Sequence, residues 1–130
     1  MLSTRRSTLV IAVLAALILS STALAAGGGL VGTYSTTVKS PAQLKGKWAI
    51  TFAKGGSYTV RVNGEAVARG RYTSTATTIT LDRERGSGCT GAGTYAWKKA
   101  GKTVTFTKKR ESASCQARAL VLSHRFMQVR

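Results

Sequence analysis

Acidic residues are nearly missing from this 130-residue chain: Glu65, Asp82, Glu84 and Glu111 are the only four. Histidine occurs once, at His124, and proline once, at Pro41. These shortages remove most routes to catalysis. Asp82 and Glu84 fall on one face of a strand pattern, but between Arg83 and Arg85 they read as neutralised surface charges and not as an acid–base pair. His124 reads as a solvated turn residue. Nothing near Ser87 or Cys89 supplies both a base and an orienting acid for nucleophilic chemistry. The glycine-rich stretch GSGCTGAG at 86–93 is not followed by the Lys-Ser/Thr of a phosphate loop. One histidine and two distant cysteines show no metal-ligand spacing. The expectation is a protein that is not an enzyme and carries no metal or cofactor.

Long apolar runs are also scarce. The one present is LVIAVLAALIL, preceded by the basic MLSTRRST and followed by SSTALAA. A basic start, a short apolar core and a small-residue end are the marks of a secretory signal peptide, too short for a membrane span. Residues 1–25 are assigned to it, with cleavage near Ala25 or Ala26. The mature chain is then about 105 residues, one small domain bound for the extracellular space or the cell envelope. In that oxidising setting the only two cysteines, Cys89 and Cys115, are expected to form one disulfide.

No helix-period run is evident after the signal. Instead, short alternating segments are separated by turn residues. Trp48, Ile50 and Phe52 share a face, and beyond Gly55-Gly56 so do Tyr58, Val60 and Val62. The rhythm continues through Tyr72, through Ile79 and Leu81, through Tyr95 and Trp97, and through Val104 and Phe106. ARALVLS and RFMQV read as the last two strands. Residues 26–44 read as an N-terminal arm in which GTYSTTV, at 32–38, adds one optional strand. The fold class is all-β, a small antiparallel up-and-down barrel of about eight strands over 45–130. Closure removes the two exposed sheet edges. A two-sheet sandwich is the alternative. Numbered from residue 47, the strands place Cys89 and Cys115 in loops at the same barrel end, within reach of each other.

GKW, at Gly46 to Trp48, resembles the Gly-x-Trp signature that opens the first strand of lipocalins and the wider calycin group. With GTY, GRY, GTYAW and the two cysteines, the pattern is similar to secreted bacterial lipocalin-like domains over most of 32–130. The resemblance implies that Trp48 closes one barrel end beneath a basic residue from the C-terminal region: Arg118, Arg125 or Arg130. It also implies a small hydrophobic ligand. The chain is short and lacks the family's central Thr-Asp-Tyr loop and C-terminal helix, which implies a small ligand cup. A second likeness, to secreted bacterial metalloprotease inhibitors, implies an inhibitory arm over 27–44.

The inward aromatics Trp48, Phe52, Tyr58, Tyr72, Tyr95, Trp97 and Phe106 are the expected barrel lining. They leave a mostly filled interior with a small apolar pocket at one mouth. Twenty Lys and Arg face four acids, and without Arg5 and Arg6 the balance is still about +14. Lys45, Lys47, Arg61, Arg69, Arg71, Lys98 and Lys109 fall on outward positions. Such charge favours non-specific adhesion to anionic cell-envelope surfaces. With the aromatics turned inward there is no stacking platform for sequence-specific nucleic-acid binding. A monomer with no transmembrane span in the mature chain completes the expectation.

Overall fold

The structure, a computed structural model, describes residues 29–130. The signal-peptide reading of residues 1–25 therefore lies outside the described residues. Eight strands form one closed barrel in sequence order. They are β1 (Gly32–Val38), β2 (Gly46–Phe52), β3 (Ser57–Val62), β4 (Glu65–Ser74), β5 (Thr78–Arg85), β6 (Gly93–Ala100), β7 (Thr103–Arg110) and β8 (Phe126–Gln128). Every neighbour pair is antiparallel, and β1 closes the ring by pairing with both β2 and β8. The sheet is thus a barrel and not two layers.

The alternation that marks these strands in the sequence is seen in the burial of β5 up to Leu81, where Ile79 and Leu81 are buried and Thr78 and Thr80 half-buried. Trp48 faces Val62, Ile50 faces Val60 and Phe52 faces Tyr58 across the β2–β3 ladder. Such cross-strand apolar pairs are the unit of sheet stabilisation. The β3–β4 link is Asn63-Gly64, both at positive φ (51° and 86°), the conformation of a two-residue hairpin turn.

Two expectations change. ARALVLS is not a strand: Gln116–Leu122 forms a helix, α1, between β7 and β8. Arg118, Val121 and Leu122 are buried, a three-and-four spacing that turns one helical face to the barrel. The eighth strand is supplied by GTYSTTV, which is a full stave of the barrel. An inhibitory arm over 27–44 would therefore have its middle, residues 32–38, locked in the sheet.

The strand directions sort the loops into two ends. One end carries the β1–β2 link with its one-turn helix Ala42–Leu44, the β3–β4 turn, the β5–β6 loop with Cys89, and α1 with Cys115. Cys89 and Cys115 are bonded there, as the topology requires. The opposite end is filled by Tyr34, Phe52, Tyr72, Phe106 and Phe126, with Leu30 fully buried beneath them. Phe52 is the hub of that cluster, with ring centroids 5.0 Å from Tyr72, 6.1 Å from Tyr34 and 6.5 Å from Phe106. The pairs with Tyr72 and Tyr34 are edge contacts, which add about 0.5–1.5 kcal/mol each beyond area burial. Among the described residues, no helix is long and apolar enough to cross a membrane.

Candidate ligand-binding site

Filling one end with aromatics leaves the other open. Beneath α1 lies a cavity of about 400 Å³. Its walls come from β2 and β3 (Trp48, Ile50, Val60), from β4 and β5 (Ala68, Leu81) and from the helix (Val121). The volume falls in the range of small-molecule pockets, about 300–1,000 Å³.

The seven aromatics expected to line the interior divide between the two ends. Trp48 and Tyr58 line the cavity. Phe52, Tyr72 and Phe106 belong to the packed end. Tyr95 is buried, and its hydroxyl donates to Glu111. Trp97 is half-buried, donating its indole N–H to the carbonyls of Thr75 and Thr78 at 3.1 Å. Trp48 donates its own indole N–H to the Leu44 carbonyl at 2.7 Å, which fixes the ring against the Ala42–Leu44 turn.

The barrel-closing residues are arranged differently from the family pattern. Gly46 opens β2 at the cavity end. Arg125 is exposed in the link from α1 to β8. Arg118 is buried, but its guanidinium faces carboxylates. Nε donates to Glu111 Oε2 at 2.9 Å, and Nη2 donates to Glu111 Oε1 at 2.6 Å and to the Gly91 carbonyl at 3.1 Å. The cation–π contact among the described residues lies elsewhere, between Lys99 and the Tyr34 ring at 5.7 Å.

Glu84 reverses its expected place. Its side chain is only 4% exposed, accepting from the Tyr58 hydroxyl at 2.8 Å and from the Ser87 hydroxyl. The cause is local. Arg83 sits at φ 53°, a left-handed conformation rare for a residue other than glycine or asparagine, and the β4–β5 register shifts nearby. The irregularity sends Arg83 outward and aims Glu84 into the barrel. Strict alternation puts Arg83 on the face of Ile79 and Leu81. A charge at an inward position was the available signal of a bulge.

Two glycines make room for this cluster. A Cβ on Gly70 would lie 2.6 Å from the Tyr58 ring, and one on Gly93 would collide with the Glu111 carboxylate and the Arg118 guanidinium.

The electrostatics follow from burial and partners. For Glu111, burial pushes the carboxyl up. Hydrogen bonds from Arg118, Tyr95 and the Ser112 N–H outweigh it, holding the group below the usual carboxylate range. For Arg118, burial disfavours the charge, but Glu111 outweighs it and holds the guanidinium protonated. Burial, reinforced by Glu84, pushes the Tyr58 hydroxyl well above its ordinary value, and burial with Glu111 does the same for Tyr95. All four groups therefore keep fixed protonation states near neutrality, and the site is built to hold hydrogen bonds in place. Comparison with family models, curated proteins and solved structures finds no match for the chain.

Proposed function

We propose that this chain is a secreted, non-enzymatic, lipocalin-like binding protein that carries one small hydrophobic molecule beneath α1. The observation that carries the reading is the cavity of about 400 Å³, walled mainly by apolar side chains in a barrel whose interior is filled at the other end by aromatic side chains. Interior space is not needed for stability, since voids cost contacts. The sheet closes on itself through β8, which pairs with both β1 and β7, and this closure leaves little edge for a second copy and supports a monomer. Exposed Lys45, Lys47, Arg69, Arg71, Lys98 and Lys109 support adhesion to anionic envelope surfaces.

The test is a titration with the apolar dye N-phenyl-1-naphthylamine. Dye fluorescence should rise saturably on the unmodified protein. Val60→Trp, which fills the cavity from β3, should weaken binding at least tenfold while the protein stays folded. Equal binding to both proteins would place the dye outside the cavity and overturn the reading.

A further inference from the structure

The apolar cavity wall is interrupted where Gln43, Tyr58, Glu84, Ser87 and Arg118 reach it. Arg118 is the informative member. Its side chain is 6% exposed, and two of its three nitrogens are committed, to Glu111 and to the Gly91 carbonyl. The third, Nη1, has no hydrogen-bond partner among the described residues. Its nearest carboxylate oxygen, Glu84 Oε1, stands 3.9 Å away, too far for a hydrogen bond. A buried guanidinium nitrogen without an acceptor is costly, and an acceptor brought by a ligand relieves that cost.

The charge count says what kind of acceptor fits. Two carboxylates, Glu84 and Glu111, already face the single guanidinium. A ligand carboxylate would be a third negative group around one positive group in a low-dielectric site. A neutral oxygen adds no charge. A hydroxyl can accept from Nη1 and donate to Glu84, which keeps lone pairs free.

We infer that the cavity selects a neutral amphipathic molecule, with an apolar body against Trp48 and Val60 and one hydroxyl, ketone or amide oxygen on Arg118 Nη1, and discriminates against the matching carboxylate. The inference rests on the binding reading above and specifies its ligand class. At about 30 Å³ per water-sized group, the cavity takes about a dozen such groups, the size of a ten-carbon chain with its head.

The probes are decane, 2-decanone, 1-decanol and decanoate, each displacing the apolar dye at pH 8, where decanoate is ionised. Any apolar pocket disfavours a carboxylate, so two variants carry the test. Glu84→Gln removes one negative charge, and it should improve decanoate binding at least tenfold while leaving decane within about threefold. Arg118→Lys keeps the charge but puts one nitrogen in place of three and so removes Nη1, and it should weaken 2-decanone and 1-decanol at least tenfold more than it weakens decane. If either variant fails to fold, the other decides. Parallel shifts of all four probes, or unaltered decanoate binding in E84Q, overturn the inference and leave the binding reading standing. If neither the dye nor any probe binds the unmodified protein, the binding reading itself fails.

Discussion

Glu84 on β5 and Arg118 on α1 bring a carboxylate oxygen and a guanidinium nitrogen to 3.9 Å inside the barrel. One is aimed inward by a left-handed Arg83, and the other is carried by a seven-residue helix. With Glu111, Tyr58 and Tyr95 they make a buried polar network at the cavity end of the barrel.

Arg118 holds this network in balance. Arg118→Met leaves Glu84 and Glu111 buried without a cation, and breaking a buried pair in this way costs about 3–5 kcal/mol. The urea midpoint should fall accordingly. Adding Glu84→Gln and Glu111→Gln to the same protein should recover most of the loss, because the uncompensated charges are then gone. A midpoint unchanged by R118M would show the network to be idle.

Acid should find Glu111. Its folded carboxyl is held below the usual range, so its contribution to stability is fully present above the unfolded value of about 4.3 and is lost as pH falls through the folded value. Stability measured by urea unfolding should be level from pH 7 to about pH 5 and decline below about pH 4. In Glu111→Gln that decline should be shallower. Tyr58 and Tyr95 act in the opposite sense. Their raised folded values mean that stability is present below the ordinary tyrosine value near 10 and is lost as pH rises beyond it.

The Cys89–Cys115 bond, spanning 26 residues, ties the β5–β6 loop to the start of α1. Closing a loop of that length stabilises by about 3.5 kcal/mol in the chain-entropy model. Cys89→Ala with Cys115→Ala should lower unfolding free energy by about that amount. Dye affinity should fall more than far-ultraviolet circular dichroism changes, since α1 roofs the cavity while the barrel ladder closes elsewhere.

Charge should govern adhesion. Arg69 and Arg71 are exposed on β4, and Arg69 lies opposite Arg85 across the ladder, so like charges already face each other. Arg69→Glu with Arg71→Glu should weaken retention on vesicles rich in anionic lipid and leave the melting temperature nearly unchanged. Because screening sets in over roughly 8 Å at physiological salt, retention of the unmodified protein should drop steeply between about 0.05 and 0.5 M salt. Salt-independent retention would rule out an electrostatic contact.

Much of the barrel was legible because its strands obey a period of two. Trp48, Ile50 and Phe52 against Tyr58, Val60 and Val62 state both the strands and their pairing, and the two cysteines fall in loops that the topology brings to one end. The polar site was not legible, for three physical reasons. A bulge at Arg83 breaks the period and reverses Glu84. A seven-residue helix is too short to distinguish itself from a strand by pattern, although Ala117, Arg118, Ala119 and Leu120 are all good helix formers. And Glu111 lies just beyond β7, where no periodicity assigns it a face. The division of the seven aromatics was equally hidden, since parity tells inward from outward but not one barrel end from the other.

The central claim is that the space beneath α1 holds a small hydrophobic molecule, and native mass spectrometry of the protein purified from its own host tests it most directly. The expected spectrum shows the disulfide-bonded chain carrying an added mass of a few hundred daltons at most, released on activation and absent from Val60→Trp. A bare chain in the unmodified protein, or an adduct retained equally by V60W, would contradict it.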